Sequence, residues 1–264
     1  MSTLVIVPTY NEAGNILHTL DEIGMYLPDA DVLVVDDGSP DGTGDLVTAR
    51  GLADPRVSLL SRTEKSGLGG AYRAGFEHAL ALGYDIVVEM DADGSHPAQR
   101  LPALVAALVT ADLAIGSRWV REGSAAGWAL HRHLLSRTAS TYVRWMLGTP
   151  VSDVTSGFRG FRAETLRVID ASSTASNGYS FQIETLHRAH RSGLAIAEVP
   201  ITFAEREHGQ SKMSVGIVVE ALTRVAHWRR HPFRPRAQSM ISTASPITMP
   251  EFRATRVPHR LETL

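Results

Sequence analysis

Short apolar runs alternate with amphipathic stretches along the first 117 residues. The apolar runs are LVIV (4–7), VLVV (32–35), VSLL (57–60), IVVEM (86–90) and LAIG (113–116), and each has the length and residue types of a buried strand. The stretches between them, 12–26, 43–51, 68–82 and 98–110, have helical periodicity. Because each of these stretches is too long to be a hairpin turn, the pattern predicts an α/β fold with a Rossmann-like, mainly parallel central sheet flanked by helices.

The pattern changes after residue 117. The segment RWVREGSAAGW (118–128) is rich in Gly, Ser and Ala and predicts a mobile loop. Further on, the spacing predicts helices over 131–147, 180–192 and 214–228, and extended segments over 153–162 and 194–203. From residue 229 the chain is rich in Pro, Arg and hydroxyl residues, which is typical of a tail without its own core. We therefore predict one domain over 1–228 and a flexible, basic, Pro-rich tail over 229–264.

Composition narrows the possible functions. With 264 residues, of which 44% are hydrophobic, the chain is long enough to build a substantial core. A net charge of -2 argues against a general nucleic-acid binder, and the lack of cysteine excludes disulfides, thiolate metal sites and cysteine nucleophiles. The N-terminal segment lacks the basic region of a secretory signal, and no stretch reaches the roughly 18 uncharged apolar residues of a membrane span.

Polar motifs follow three of the predicted strands. They are PTYNE (8–12), DDGSPDGT (36–43) and DADGSH (91–96). Because ligands of open parallel sheets bind beyond the carboxyl ends of the strands, we expect these three motifs to meet at one site.

The motif DADGSH contains two carboxylates, Asp91 and Asp93, separated by one residue. Hard carboxylate oxygens in this arrangement can bind Mg²⁺ or Mn²⁺ and leave coordination positions open for phosphate oxygens. The alternative is a turn and helix cap at Asp93 with a solvated Asp91. Glu89, two residues earlier in the strand, is interpreted as a structural residue with a buried hydrogen-bond partner.

The other two motifs are also ambiguous. Asp36 and Asp37 can accept hydrogen bonds from a base or a ribose, or they can belong to a turn and helix cap. In PTYNE, Tyr10 and Glu12 can contact a nucleotide, while Thr9 or Asn11 can cap a helix. These residues alone do not decide between the two interpretations.

The glycine-rich stretch GLGGAYRAG (67–75) resembles a dinucleotide-binding fingerprint only superficially. That fingerprint requires glycine at position 72, where this chain has Tyr72. The fingerprint also follows the first strand of its fold, whereas this stretch lies after the third apolar run. We therefore expect these glycines to permit a loop and close helix packing, and an NAD-dependent oxidoreductase is not indicated.

Basic residues concentrate between positions 118 and 144. This segment contains Arg118, Arg121, Arg132, Arg137 and Arg144, together with His131 and His133, and its one acid is Glu122. The bias predicts either an anion site or a solvated face. A second basic segment, EREHGQSKMS (205–214), adds Arg206 and Lys212 in a loop that can close over phosphates or remain an ordinary surface turn.

Taken in order, the motifs PTYNE, DDGSPDGT, GLGGA, MDADGSHP, GSR, HRHLLSR, SGFRGFR, YSFQIE and EREHGQSKMS resemble the polyprenyl-phosphate (dolichol-phosphate) mannosyltransferases of inverting glycosyltransferase family 2. The resemblance extends from about residue 3 to residue 214. It implies a GT-A fold, a GDP-mannose donor, a divalent metal (Mg²⁺ or Mn²⁺) and transfer of mannose to a polyprenyl monophosphate at the cytoplasmic membrane surface. It also implies a nucleotide-sugar-binding half over 1–117 and an acceptor-binding half over 118–228.

The resemblance assigns roles residue by residue. It implies that Pro8, Tyr10, Glu12 and Asp37 hold the guanosine portion, and that Asp91, Ala92 and Asp93 hold the metal and the diphosphate. Arg206 and Lys212 would assist with the nucleotide sugar, whereas Arg118, Arg132 and Arg137 would bind the acceptor phosphate. The residues expected to carry catalysis are Asp93, Arg118 and Arg132.

The chain departs from the family at one position. Some relatives have a metal-binding glutamine two places after the second acid, where this chain has Ser95, so the metal shell could be completed by Ser95, His96 or water. The amphipathic segment 214–228 and the following HWRRHPFRPR could lie on anionic lipid. The resemblance to actinobacterial forms implies a peripheral location at the inner face of the plasma membrane, with a separate integral membrane protein as a possible anchor.

Three rival functions are open at this point. The same fold could transfer glucose or another sugar to the same lipid, or the chain could be a non-catalytic nucleotide-sugar-binding module. A nucleotidyltransferase is not favoured, because its glycine-rich opening loop is absent from IVPTYNEAGN.

Overall fold

The structure is a computed structural model that describes residues 1–63, 67–204 and 215–235, with residues 215–219 described by their backbone alone. The strands of this part are β1 (Thr3–Thr9), β2 (Asp31–Asp36), β3 (Val57–Ser61), β4 (Ile86–Glu89), β5 (Leu113–Ser117), β6 (Ser124–Ala125), β7 (Arg159–Arg162), β8 (Ile196–Pro200) and β9 (Thr202–Phe203). The α-helices are α1 (Ile16–Tyr26), α2 (Thr43–Ala53), α3 (Gly67–Leu82), α4 (Leu101–Ala107), α5 (Leu130–Leu147), α6 (Ala163–Val168), α7 (Gly178–Arg191) and α8 (Val215–Arg230). Two short 3-10 turns cover Ala98–Arg100 and Ala171–Ser173.

The main sheet has seven strands in the order β3-β2-β1-β4-β7-β5-β8. Strand β7 runs antiparallel to its neighbours β4 and β5, and the other pairs are parallel. The predicted α/β class with a mainly parallel sheet is confirmed, and the five N-terminal strands lie where the apolar runs predict them.

Both faces of this sheet are covered. Leu4 and Ile6 of β1 belong to one buried cluster, which also contains Phe76 of α3. Val5 and Val7 belong to a second cluster on the opposite face, with residues of α1 and α4. Alternate side chains of a strand point to opposite faces, so one buried strand contributes to two cores.

Two glycines of α3 explain how closely this helix packs. A Cβ atom at Gly75 would lie 2.7 Å from Ile6 Cγ2, and one at Gly69 would lie 2.4 Å from the carbonyl oxygen of Ser176. No larger residue fits at either position without movement of its neighbours. The expectation that the glycine-rich stretch serves close packing is confirmed.

The segment 118–128 was expected to be a mobile loop, and that prediction is wrong for its central part. Ser124 and Ala125 form β6, which pairs in parallel with β9, while Arg118 at the start of the segment is buried. Gly123 lies so close to the backbone of residues 117 and 118 that a Cβ atom there would be 2.6 Å from the carbonyl oxygen of Ser117. The small residues therefore permit close backbone approach.

The predicted boundary between domain and tail lies within a helix. Helix α8 continues to Arg230, and Arg229 Nη1 donates a hydrogen bond to the carbonyl oxygen of Met146 at 2.6 Å. The guanidinium carbon of Arg188 lies 4.9 Å from the ring centroid of Phe233. Residues 236–264, most of the predicted tail, lie outside the described residues. No helix in the described ranges has the length and apolar character needed to cross a bilayer.

Candidate active site

A cleft of about 360 Å³ lies at the carboxyl ends of β1, β2 and β4. Its lining includes seven of the residues predicted to bind the nucleotide sugar: Pro8, Tyr10, Glu12, Asp37, Asp91, Ala92 and Asp93. Parallel strands end at the same edge of a sheet, so motifs that are far apart in sequence meet there. The other two members of that predicted set, Arg206 and Lys212, lie outside the described residues.

The two acids at the end of β2 have different surroundings. Asp36 accepts hydrogen bonds from the hydroxyl of Thr9 at 2.8 Å and from both the backbone N–H and the hydroxyl of Ser39. These bonds tie the loops after β1 and β2 together. Asp37 lines the cleft, and its Oδ1 lies 3.0 Å from Nη1 of Arg62. Of the two acids, Asp37 is the one placed to meet a ligand.

The suggested helix cap at Thr9 or Asn11 is not found. Helix α1 begins at Ile16, its cap residue is Asn15, and no side chain caps it. The hydroxyl of Thr9 donates to Asp36, and Asn11 has a positive φ of 60°. The turn after β1 therefore serves the cleft, and the helix begins later than the sequence pattern indicated.

The loop that carries Asp91 and Asp93 is held by its own side chains. Oδ1 of the buried Asp93 accepts hydrogen bonds from the backbone N–H and the hydroxyl of Ser95, at 3.1 and 2.5 Å. The backbone N–H of Asp91 donates to Nδ1 of the buried His96 at 2.9 Å, which leaves the ring proton of a neutral His96 on Nε2, 3.9 Å from Asp91 Oδ2. Ser95 and His96 thus both contribute to the shape of the loop.

Tyr72 of α3 contacts the carboxylate of Asp91. Its hydroxyl donates to Asp91 Oδ1 at 3.3 Å. Burial, reinforced by the charge of Asp91, raises the pKa of Tyr72 well above its ordinary value. The hydroxyl therefore keeps its proton and remains a hydrogen-bond donor to the carboxylate.

The cleft offers a divalent cation two protein carboxylates. Asp91 and Asp93 both line it, and their oxygens are the hard ligands that Mg²⁺ and Mn²⁺ prefer. In the part of the chain that is described, no group of three or more His, Cys, Asp or Glu residues could hold a metal. Such a site would depend on further oxygen ligands from phosphate or water, as is usual for magnesium bound with a nucleotide.

Glu89 has the structural role that the sequence indicated. Its side chain is fully buried, and Oε2 accepts a hydrogen bond from Nε2 of Gln182 at 2.9 Å. Burial raises the pKa of Glu89 to about 8. The predicted buried partner is confirmed, and it is a cleft residue of α7 to which the sequence reasoning gave no role.

A second cavity, of about 70 Å³, lies between α5, α7 and α8. Its lining is mainly apolar and consists of Arg118, Trp128, Arg132, Leu135, Ser136, Ala139, Tyr142, Val143, Thr155, Tyr179, Ile183, Ala221, Leu222 and Val225. Thr155 and Tyr179 also line the larger cleft. The two spaces are therefore neighbours that share a wall.

Arg118 is held rigidly at this second cavity by Asp153. Its Nε and Nη2 donate to the two carboxylate oxygens of Asp153, both at 2.6 Å, and Nη2 also donates to the hydroxyl of Thr155 at 2.9 Å. Both members of the pair are buried, and Glu198 accepts the backbone N–H groups of residues 152 and 153. A bidentate pair of this kind fixes the plane of the guanidinium group.

Sequence reasoning missed Asp153, although one signal was present. It is the first acid after Glu122, at the end of 30 residues without Asp or Glu. A single acid that follows an arginine-rich segment is a natural candidate to pair with one of those arginines.

Arg132 and Arg137 have different positions. Arg132 lines the second cavity, with its guanidinium carbon 4.3 Å from the ring centroid of Trp128. Arg137 is exposed and lies outside the cavity lining, with its guanidinium carbon 5.7 Å from the ring centroid of Trp119. The structure brings Arg118 and Arg132 together and leaves Arg137 on the surface.

Two further polar groups of the second cavity were not anticipated. The indole N–H of Trp128 and the hydroxyl of Ser136 are buried, and neither finds a hydrogen-bond partner among the described residues. Buried donors are almost always satisfied in folded proteins. Together with Arg118 and Arg132, these donors make one end of an otherwise apolar cavity suitable for an anion.

Comparison with known proteins gives consistent matches. Residues 4–170 match the family described as glycosyl transferase family 2. An undecaprenyl-phosphate mannosyltransferase of Micrococcus luteus is 52% identical over 228 residues, which cover 86% of this chain and 94% of the relative. A polyprenol monophosphomannose synthase of Mycolicibacterium smegmatis is 50% identical, with 86% of each chain covered.

Solved structures resemble the fold at lower identity. Glucosyl-3-phosphoglycerate synthase from Mycobacterium tuberculosis, in complex with Mn²⁺ and UDP-glucose, has a TM-score of 0.61 at 24% identity and covers 86% of this chain and 79% of its own. A mannosyltransferase from Pyrobaculum calidifontis, in complex with GDP-Man and Mn²⁺, has a TM-score of 0.59 at 20% identity, with 89% of this chain and 65% of its own covered. At this level of identity the likeness concerns the fold, which is GT-A-like.

Proposed function

The chain belongs to glycosyl transferase family 2, and we propose that it transfers mannose from GDP-mannose to a polyprenyl monophosphate with inversion at the anomeric carbon. One observation carries this proposal. The cleft that collects the predicted nucleotide-sugar residues shares a wall with an apolar cavity whose polar end presents arginines and buried donors. The two relatives that are 52% and 50% identical to this chain are named for the same type of reaction.

The cleft would bind the donor. Pro8, Tyr10, Glu12 and Asp37 line the part formed by the loops after β1 and β2, where the guanosine would lie. Carboxylates in this position can accept hydrogen bonds from base or ribose groups. Ala92 would contact the diphosphate through its backbone. Arg206 and Lys212, which lie outside the described residues, would add positive charge.

Asp91 and Asp93 would hold Mg²⁺ or Mn²⁺, and the bound ion would neutralise charge on the diphosphate leaving group. The Mn²⁺ in the two structural neighbours described above is consistent with this assignment. Ser95 fixes the orientation of Asp93 through its two hydrogen bonds, and Tyr72 does the same for Asp91. These supporting contacts would keep both carboxylates in place while the donor binds and leaves.

The second cavity would bind the acceptor. Its apolar walls suit the first isoprene units, and its polar end would receive the phosphate at Arg118, Arg132, Ser136 and Trp128. The pair with Asp153 engages Nε and Nη2 of Arg118, so within the described part of the chain Nη1 is the donor available for a ligand. Arg137 is exposed and does not line the cavity, so any contact with the phosphate would come from outside the lining.

The acceptor chemistry explains the absence of an obvious base in the proposed mechanism. A phosphate monoester is anionic at neutral pH, so one of its oxygens can attack the anomeric carbon without losing a proton to the protein. The new C–O bond forms as the bond to the GDP oxygen breaks, and the electron pair leaves with GDP. The protein's tasks are alignment of two anions and relief of their repulsion.

A lipid acceptor places the reaction at a membrane surface, and we propose a peripheral location at the inner face of the plasma membrane. The exposed Arg229 and Arg230 at the end of α8 agree with contact to anionic lipid. An integral membrane protein could add a further anchor, as the family resemblance implies.

Transfer assays test the proposal directly. The protein would be incubated with radiolabelled GDP-mannose, a short-chain polyprenyl phosphate and Mg²⁺ or Mn²⁺, with a chelator as the metal control. Formation of a metal-dependent mannolipid is expected, and its absence would overturn the proposal. UDP-glucose in a parallel reaction separates the rival in which another sugar is transferred. Binding of GDP-mannose without turnover would identify a non-catalytic module.

A further inference from the structure

Tyr179 of α7 lies in the wall between the larger cleft and the smaller cavity. Among the described residues, Thr155 and Tyr179 are the two that line both spaces. In the proposed reaction the sugar of the donor must meet the phosphate of the acceptor, so the two bound substrates have to come together at this wall. A side chain in the wall is therefore placed to contact the reacting groups.

The first two turns of α7 form a partition between the two spaces. Tyr179, Gln182 and Ile183 lie on one face of the helix, because residues three and four positions apart are neighbours on a helix surface. Gln182 lines the cleft and Ile183 lines the cavity. Tyr179, one turn earlier, lines both, which places it at the end of the partition.

The two shared residues differ in how their hydroxyl groups are used. The hydroxyl of Thr155 accepts a hydrogen bond from Nη2 of Arg118 at 2.9 Å and donates one to Oδ1 of Asp153 at 3.4 Å. The hydroxyl of the half-buried Tyr179 has no hydrogen-bond partner among the described residues. Tyr179 therefore keeps a neutral donor for a ligand at the wall.

The charges around this wall favour an anion. The bond from Arg118 to Thr155 brings the guanidinium group to the shared wall. The first turn of α7 contains no acid, and the N-terminus of a helix carries partial positive charge. A phosphate held by Arg118 would therefore lie beside the wall that Tyr179 lines.

We propose that the hydroxyl of Tyr179 donates a hydrogen bond to the acceptor phosphate and, with Arg118, aligns the attacking oxygen with the anomeric carbon of the donor. This rests on the proposed function in so far as the acceptor is a phosphate monoester. A neutral donor orients the phosphate without removing the negative charge that makes its oxygen a nucleophile. Tyr179 keeps its proton throughout, so the mechanism still needs no base.

Tyr179→Phe tests the proposal, because it removes the hydroxyl and keeps the ring in the wall. The matched control is Tyr26→Phe, at a position of α1 that is 38% exposed and outside both linings. Mannose transfer is measured at varied concentrations of geranyl phosphate, a water-soluble prenyl phosphate. Binding of GDP and of GDP-mannose, both with Mn²⁺, is measured by calorimetry.

We expect Tyr179→Phe to lower kcat/KM for geranyl phosphate at least about 10-fold, since the lost bond is to a charged group. The Kd values for GDP and GDP-mannose should change less than about 2-fold, because neither contact involves this hydroxyl in the proposal. The midpoint of urea denaturation should stay at the wild-type value, and the control should match the wild type in every measurement.

Three results would overturn the proposal. The first is a Tyr179→Phe variant with wild-type kinetics for geranyl phosphate. The second is weaker binding of GDP-mannose with unchanged binding of GDP, which would assign the hydroxyl to the donor sugar. The third is a lower urea midpoint with losses for both substrates, which would make the hydroxyl a structural group.

Binding of the acceptor alone separates this proposal from the proposed function. Geranyl phosphate is titrated into the wild type and into Tyr179→Phe without nucleotide, and the variant should bind at least about 5-fold more weakly. If the wild type transfers no sugar but shows this difference, the proposed function fails and the contact between Tyr179 and the phosphate stands. If the wild type transfers mannose and both proteins use geranyl phosphate equally, the role of Tyr179 alone fails. A wild type that neither binds geranyl phosphate nor transfers sugar would overturn both.

Discussion

The larger cleft and the smaller apolar cavity share a wall at Thr155 and Tyr179, yet they are assembled from different kinds of structure. The predicted nucleotide-sugar residues of the cleft lie at the end of β1 and in the loops that directly follow β1, β2 and β4. The lining of the cavity comes mainly from the sides of α5, α7 and α8. Loops at strand ends are fixed by the sheet beneath them, whereas helix faces depend on tertiary pairing.

The charged side chains of the cleft and of the cavity are also held in position differently. In the cleft, the side chain of Asp93 is oriented by Ser95, and the backbone of Asp91 is bonded to His96, both in the same loop. At the cavity, Arg118 depends on Asp153, 35 residues away. The comparison suggests that single changes in the cleft should affect chemistry with little effect on folding, and that changes at the cavity should affect both.

The largest expected effect comes from the cleft. Asp93→Asn should lower turnover at least about 1,000-fold, or about 4 kcal/mol in activation free energy, because it removes charge from the proposed metal site. Since the amide can still accept the bonds from Ser95, the unfolding free energy should change by less than about 1 kcal/mol. Turnover and urea denaturation would be measured side by side. Asp45→Asn, at an exposed position of α2, serves as the control, and near-normal turnover of Asp93→Asn would remove the metal role.

A comparable change at the cavity should act on stability as well. Asp153→Asn leaves the buried Arg118 without its charge partner, and we expect a loss of about 3 kcal/mol in unfolding free energy together with weaker use of the acceptor. The double variant Arg118→Met with Asp153→Leu should recover most of the stability but not the activity. If the double variant were fully active, Arg118 would have no role in acceptor binding.

Arg132 and Arg137 of α5 provide a graded test, because Arg132 lines the cavity and Arg137 is exposed. Arg132→Ala should raise the KM for the acceptor about 30-fold, or about 2 kcal/mol, with GDP binding changed less than about 2-fold. Arg137→Ala should have a smaller effect, because Arg137 lies outside the cavity lining. Equal effects of both variants would show that the acceptor phosphate lies on the rim of the cavity and not within it.

The difference between the two regions also explains what the sequence could predict. The strand-end motifs placed Asp37, Asp91 and Asp93 in one cleft because parallel strands bring consecutive loops to one edge. Sequence spacing could not distinguish the structural role of Asp36 from the cleft position of Asp37, since that depends on where Thr9 and Ser39 lie.

At the cavity the sequence indicated an excess of arginine and little more. Which arginine is buried depends on Asp153, and the bond between Arg118 and Asp153 joins residues 35 positions apart. Contacts of this kind leave no local periodicity in the sequence. The resemblance to a known family supplied roles for Arg118 and Arg132, but it did not anticipate the buried donors on Trp128 and Ser136.

The smallest expected effect concerns the packing of α8 beside the cavity. His187 of α7 is buried with its ring stacked on Trp228, their centroids 6.3 Å apart, and neither ring nitrogen has a hydrogen-bond partner within the described residues. Burial, together with nearby Arg191, lowers the pKa of His187 from 6.5 to about 4. As pH falls below 6.5, His187 is protonated in the unfolded chain but stays neutral in the folded chain. The unfolding free energy should therefore decrease between pH 6.5 and pH 4.

His187→Phe should remove this acid sensitivity and keep the ring stacked on Trp228. We expect a gain of about 1 kcal/mol in unfolding free energy at pH 7, because two unsatisfied buried nitrogens are removed, and a larger gain at pH 5. Urea denaturation between pH 5 and pH 8 measures both, and His18→Phe, at an exposed position of α1, is the control. If the variant kept the wild-type pH dependence of the unfolding free energy, the ring nitrogens of His187 would have hydrogen-bond partners in the folded protein. The polar groups of the helices around the cavity would then be as well paired as those in the loops of the cleft.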